Sequence, residues 1–239
     1  MIETKQNLII QSSQTDINAR VGIIQALIFA QNNTCKLFHD LHCDGINLIK
    51  SCHAFWAVTK TKVQFSGQIN WLDSVEVLTK ITSVNVIRLN LEHTIKGAFG
   101  EIIVTQEIVA MDSENRKLRT INSIPKFPKY LLISGTKNYK FDTINLENSS
   151  YNLIDKIKVN SSMIDYFGHT NNIAYASIIL GTLDEPFLRN TEVKEFEIHY
   201  TKETKNADEL DIYKCVNNNE ILYKICRNEE IVCLARIIK

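Results

Sequence analysis

The chain has 239 residues, with 27 Lys and Arg against 27 Asp and Glu and a formal net charge of zero. A composition that is 44% hydrophobic and 23% charged, with only 8 Gly and 3 Pro, describes a packed globular protein and excludes disordered or collagen-like chains. The zero balance, with no block of about five or six like charges, removes the electrostatic case for nucleic acid or an anionic membrane as partner.

No stretch approaches the roughly 18 apolar residues that span a bilayer, and the first residues lack the basic-then-apolar grammar of a secretory signal. Six cysteines, Cys35, Cys43, Cys52, Cys215, Cys226 and Cys233, form no C-x-x-C pair. A chain of this size does not need disulfide staples, so reduced thiols in a cytoplasm are the expectation.

In chain order, residues 7–13 read as a strand, Asp16 follows, and residues 19–42 read as a strongly apolar helix closed by Gly45. Alternating strands are expected at 53–65, 74–81, 84–95 and 101–111. Residues 125–140 hold Pro125, Pro128 and Gly135 and read as a linker. The grammar then repeats: a strand at 151–159, Asp165, an apolar helix at 171–180, and strands at 193–201, 209–216, 221–226 and 231–238, joined by polar turns. Both helices are apolar nearly all round, which suits a helix enclosed by a curved sheet. The expected fold is therefore α+β, with two tandem hotdog units, each an antiparallel sheet around one long helix, spanning residues 1–124 and 141–239.

The densest chemistry lies in Asp165-Tyr166-Phe167-Gly168-His169-Thr170-Asn171-Asn172. A carboxylate just ahead of a helix N-terminus sits where free N–H groups and the helix dipole can polarise a carbonyl. Gly168 would allow close approach to the backbone, and His169 can move a proton near neutral pH. By themselves these residues fit a helix cap and a packed histidine equally well. Cys35, His39, His42 and Cys43 have helical spacing, but not that of an established zinc site, and read as packing thiols and helix-terminal histidines.

The segment through Tyr175 resembles the D-x-x-G-H-x-N-N-x-x-Y signature of hotdog thioesterases. With Trp56-Ala57-Val58-Thr59, Trp71-Leu72-Asp73-Ser74, Lys117-Leu118-Arg119 and Tyr200-Thr201-Lys202-Glu203 in order, the whole chain resembles bacterial acyl-acyl carrier protein (acyl-ACP) thioesterases. The resemblance implies hydrolysis of a fatty acyl thioester in fatty acid biosynthesis, with acyl carrier protein as partner and no metal or cofactor. It implies Asp165, His169 and Glu203 as catalytic residues and Gly168, Asn171, Asn172 and Tyr175 as substrate-binding ones. It also implies that the first unit lines an acyl tunnel and holds a degenerate site. Phe167 stands where plant members carry an amide, and Thr204 where they carry a cysteine. Acyl-CoA hydrolysis and a non-catalytic acyl-binding module are the alternatives, and a homodimer is the assembly to test for. An acidic carrier would favour basic segments such as Lys60-Thr61-Lys62 and those at Lys126 and Lys129.

Overall fold

A computed structural model describes residues 2–132, 141–144 and 150–239, so part of the expected linker lies outside the described residues. The first unit comprises β1 (Glu3–Ile9), α1 (Ile23–Asp40), α2 (Gly45–Cys52), β2 (Ala54–Gly67), β3 (Ser74–Val84), β4 (Arg88–Lys96), β5 (Gly100–Asp112) and β6 (Leu118–Arg119). The second comprises β7 (Asn152–Lys158), α3 (Asn172–Gly181), α4 (Glu185–Asn190), β8 (Glu195–Tyr200), β9 (Glu209–Val216), β10 (Glu220–Arg227) and β11 (Glu230–Ile238).

All strands join one antiparallel sheet of order β1-β3-β4-β5-β2-β8-β11-β10-β9-β7, with β6 on β5. The two units meet where β2 pairs with β8, Lys60 to Gln64 opposite His199 to Glu195. The outermost strands, β1 and β7, carry charged residues such as Lys5, Lys156 and Lys158, which discourage edge-to-edge pairing with a second chain. The α+β tandem hotdog architecture expected from the sequence is the one observed.

Inward residues from both halves of the sheet, among them Val63, Val104, Phe196, Ile198 and Ile225, pack on α1 and α3 in one shared apolar core. A second cluster under the C-terminal half of α1 holds Leu37, Phe38, Leu48, Leu91 and Ile108, joined by Phe127 and Leu131, and takes no residue of the second unit. That asymmetry follows from length: α1 has 18 residues and α3 has 10, so α1 overhangs the shared core.

The helix expected at residues 19–42 is shorter at its start and divided at its end. Ala19 adopts a left-handed φ of 55° and Gly22 is the extended N-cap residue, so α1 begins at Ile23. Gly45 does not close it. Asp44 accepts from the N–H groups of Ile46 and Asn47 and starts α2 there, as an aspartate N-cap does.

On the outer face of the β2–β8 junction, Lys62 lies 2.8 Å from both Asp142 and Glu197, with its side chain 12% exposed. Arg236 joins the same network through Glu195 at 2.9 Å. Lys62 is therefore engaged in holding the junction and is not a free surface cation for a carrier.

Candidate active site

The loop before α3 is built by Asp165. Its Oδ1 accepts from the N–H of Phe167 at 2.9 Å and of His169 at 3.2 Å. Its own N–H donates to the His169 carbonyl, and Gly168 N–H donates to the Asp165 carbonyl. Gly168 turns the chain at φ 82°, the left-handed region where a glycine meets no steric cost. Asp165 therefore closes this loop and does not cap α3. The cap is Asn171, whose Oδ1 accepts from Ile173 N–H at 2.9 Å.

The same loop occurs before α1. Asp16 Oδ1 accepts from the N–H of Asn18 and Arg20. Asp16 N–H donates to the Arg20 carbonyl, Ala19 N–H donates to the Asp16 carbonyl, and Ala19 supplies the positive φ. A short 3₁₀ turn precedes each loop, Ser12–Gln14 in one unit and Ser161–Met163 in the other. The sequence repeat thus superimposes hydrogen bond for hydrogen bond. The difference is in what the loops present: Arg20 pairs with Asp16 at 3.6 Å, whereas His169 faces a cavity.

That cavity has a volume of about 860 Å³, within the roughly 300–1,000 Å³ of ligand sites. One wall is the face of α1 that carries Leu27, Gln31, Thr34 and Phe38; the others come from β2, β5 and the loop and helix start of the second unit. Asp165, His169, Glu203, Asn171, Asn172 and Tyr175 all line it. Gly168 lies between two lining residues, Phe167 and His169, without lining the cavity itself. A Cβ built there meets nothing within 4 Å, so its geometric contribution is the turn.

His169 is 7% exposed. Its Nε2 lies 3.3 Å from Glu203 Oε2 and 2.9 Å from an Arg116 guanidinium nitrogen. Arg116 also reaches Glu203 Oε1 at 3.4 Å and lies over the Phe55 ring at 5.1 Å. An arginine only donates, so in this arrangement His169 Nε2 accepts and a neutral ring carries its proton on Nδ1. Burial lowers the His169 pKa; Glu203 opposes that shift, Arg116 adds to it, and smaller contributions come from Asp165, which raises it, and Lys205, which lowers it.

Tyr175 is buried, with its hydroxyl 2.7 Å from Thr204 Oγ1 and its pKa pushed up by burial to about 12. Thr204 in turn lies 2.6 Å from Thr170 Oγ1, which ties α3 to the strand end that carries Glu203. Phe167 packs at a tilt against Tyr166, ring centroids 3.9 Å apart, and against Phe55 at 5.5 Å, and thereby docks the loop on the first unit. Cys35 and His39 line the cavity, whereas Cys43 is fully buried beneath α1.

Arg116 and Phe55 are invisible to a motif reading because they come from the other unit. Arg116 lies in the turn after β5, where Asp112 Oδ1 accepts from the N–H of Glu114 and Asn115; a surface turn arginine carries no sequence signal of its own.

The fold defines a tandem hotdog protein with one cavity-facing polar cluster at its second loop. The acyl-ACP thioesterase N-terminal domain profile matches residues 2–124, and the acyl-ACP thioesterase C-terminal domain profile matches residues 146–237. The chain therefore belongs to the acyl-ACP thioesterase family, and it is a thioester hydrolase acting on fatty acyl-ACP. No curated protein sequence matches it significantly. Among solved structures, an acyl-ACP thioesterase from Bacteroides thetaiotaomicron has a TM-score of 0.82 at 18% identity, covering 99% of this chain and 97% of that one. A 12:0-ACP thioesterase from Umbellularia californica has a TM-score of 0.83 at 17% identity, covering 100% and 97%. At such identities the likeness establishes the shared fold.

Proposed function

We propose that the reaction is carried by Asp165, His169 and Glu203 at the cavity mouth, with the acyl chain lying between α1 and the first unit's sheet. The observation that carries this reading is the contact of His169 with both Glu203 and Arg116 beside the loop that Asp165 closes. Glu203, held by Arg116 and half open to solvent, takes a proton from water as the oxygen attacks the thioester carbonyl. The N-terminus of α3, lined by Asn171 and Asn172, stabilises the oxyanion that forms. Collapse of the tetrahedral intermediate breaks the carbon–sulfur bond, and the departing thiolate takes the proton held by Glu203 and leaves as the carrier thiol, restoring the Glu203 carboxylate and releasing the acid. Asp165 holds the loop with one oxygen and lines the cavity beside His169. Asn171, Asn172 and Tyr175 shape the substrate entrance, and Gly168 sets the turn that presents His169.

In this reading the second unit supplies the reacting groups, while the first supplies the acyl wall and Arg116. The expected division at residues 1–124, 125–140 and 141–239 is retained, with the amendment that one arginine crosses it. A cytoplasmic location agrees with six free cysteines, and no described helix is long and apolar enough to cross a membrane. The loop, Glu203 and Arg116 all come from one chain, so a homodimer is not required to complete the site; sedimentation measures the assembly directly.

The test is release of free thiol from palmitoyl-ACP and palmitoyl-CoA in the presence of a chelator. Turnover of the carrier-protein substrate supports the reading. Acyl binding without thiol release would make the chain a binding module, and preference for the CoA ester would move it to the acyl-CoA hydrolases.

A further inference from the structure

The cavity wall is not uniformly apolar. Thr34 and Gln106, 9% and 6% exposed, both line it. The Thr34 hydroxyl donates to Gln106 Oε1 at 3.1 Å. Behind them His93, fully buried, places Nε2 at 3.1 Å from the same oxygen, while the Thr79 hydroxyl lies 2.7 Å from Nδ1. A carbonyl oxygen only accepts, so His93 Nε2 carries the proton, Nδ1 accepts from Thr79, and Gln106 Oε1 receives two donors. Burial lowers the His93 pKa to about 4, consistent with that neutral form. With Oε1 turned to these two donors, Nε2 is the amide atom left over. It has no hydrogen-bond partner among the described residues, at a residue more than nine-tenths buried.

Gln106 Nε2 is not sealed off from the cavity that Gln106 lines, and an alkyl chain alongside would strip water from it and leave the donor unmet. Thr34 Oγ1 has spent its proton on Gln106, and beside the long 3.5 Å approach of His93 Nε2 it keeps one acceptor position. A donor and an acceptor side by side suit a hydroxyl, which accepts from Gln106 Nε2 and donates to Thr34 Oγ1. We propose that this cavity takes fatty acyl chains bearing a hydroxyl partway along the chain, read by Gln106 and Thr34. The proposal rests on the reading that the cavity holds the acyl group.

Placement agrees with a mid-chain position. Phe55 neighbours His169 at the mouth, and Trp56 pairs with Ala110, whereas Gln106 pairs with Thr61. From Ala110 to Gln106 the strand advances roughly 13 Å at about 3.3 Å per residue. Thr34 precedes Phe38, which stacks on Trp56, by one helical turn of about 5.4 Å. These two runs bound the depth of the polar pair below Trp56 at roughly 5–13 Å, several carbons along an extended chain.

The experiment compares three palmitoyl thioesters of acyl carrier protein: unsubstituted, hydroxylated next to the thioester, and hydroxylated mid-chain. Calorimetric binding of the corresponding free acids gives a second readout that needs no catalysis. The expected result is a preference of about tenfold in kcat/KM and in acid affinity for the mid-chain hydroxyl, the scale of one added net hydrogen bond. Gln106→Leu and, as a smaller change that leaves the His93 bond intact, Thr34→Val should each abolish that preference. Equal or poorer use of the mid-chain hydroxy substrate by the parent protein, or an unchanged ratio in a folded variant, overturns the proposal. Tighter binding of the hydroxy acid without thiol release from any thioester would instead overturn the hydrolytic reading and leave the recognition intact.

Discussion

At the scale of single residues, His169 Nε2 is claimed by two groups with opposite demands. Arg116 needs it as an acceptor, and Glu203 pairs with it only when the ring is protonated. Arg116 is the nearer, at 2.9 Å against 3.3 Å, and together with burial it holds the ring neutral. Removing that cation leaves burial and Lys205 to oppose Glu203 and Asp165 without its help, so Arg116→Met should raise the His169 pKa; Arg116→Lys should move it less. An NMR titration of the imidazole reads this without substrate, and a pKa that falls or stays would show that Arg116 does not act on the ring. Glu203→Gln should lower kcat by roughly a hundredfold, the scale of one positioned proton acceptor, with KM little changed because the acyl chain supplies ground-state affinity by apolar burial. A variant that mainly raises KM would assign Glu203 to substrate binding. Of this cluster Asp165, His169 and Glu203 were legible as a motif and its strand-end companion. Arg116 was not, because only the packing of a turn of one unit against a loop of the other makes it part of the site.

At the scale of elements, one loop design is used twice with different outcomes. Asp16 and Asp165 make the same backbone bonds, and each is followed by a residue at positive φ, Ala19 at 55° and Gly168 at 82°. In the first unit the loop is closed off by the second: Asn18 Nδ2 donates to the Leu188 carbonyl and Arg189 to the Ile17 carbonyl, both from α4. Asp16→Asn should therefore cost stability, about 0.5–2 kcal/mol by analogy with a lost capping carboxylate, and leave turnover per folded molecule nearly unchanged; paired thermal melts and rates decide it. The repeat of strand, Asp, helix and strands was readable because its periodicities switch from 2 to 3.6 at the same places in both halves. The short helices α2 and α4 were not anticipated. Gly45 reads as a helix stop in isolation, but Asp44 immediately before it is an N-cap, and α4 spans only Glu185–Asn190, too short for a periodicity to declare itself.

At the scale of the molecule, the two sheets fuse across β2 and β8, and the longer α1 opens a cavity in the first unit whose mouth belongs to the second. The buried polar wall of that cavity makes folding sensitive to acid. The His93 pKa falls from an ordinary 6.5 to about 4 on folding, so the unfolded chain binds the extra proton between those values. Its contribution to stability is present above pH 6.5, is lost as pH falls toward 4, and amounts to on the order of 3 kcal/mol at about 1.4 kcal/mol per unit. Denaturant unfolding at pH 7 and near pH 4, with His93→Asn as the comparison, should show the variant losing less stability on acidification; an equal loss would remove His93 as the cause. The central claim is that both units fold alike but only the second reacts. Its most direct measurement is thiol release from palmitoyl-ACP by Asp165→Asn and Asp16→Asn side by side, each normalised to folded protein. Asp165→Asn should lose at least roughly a hundredfold, the scale of removing a positioned carboxylate, and Asp16→Asn should keep near-parent turnover; abolished turnover in an Asp16→Asn protein that melts like the parent would place chemistry in the first unit.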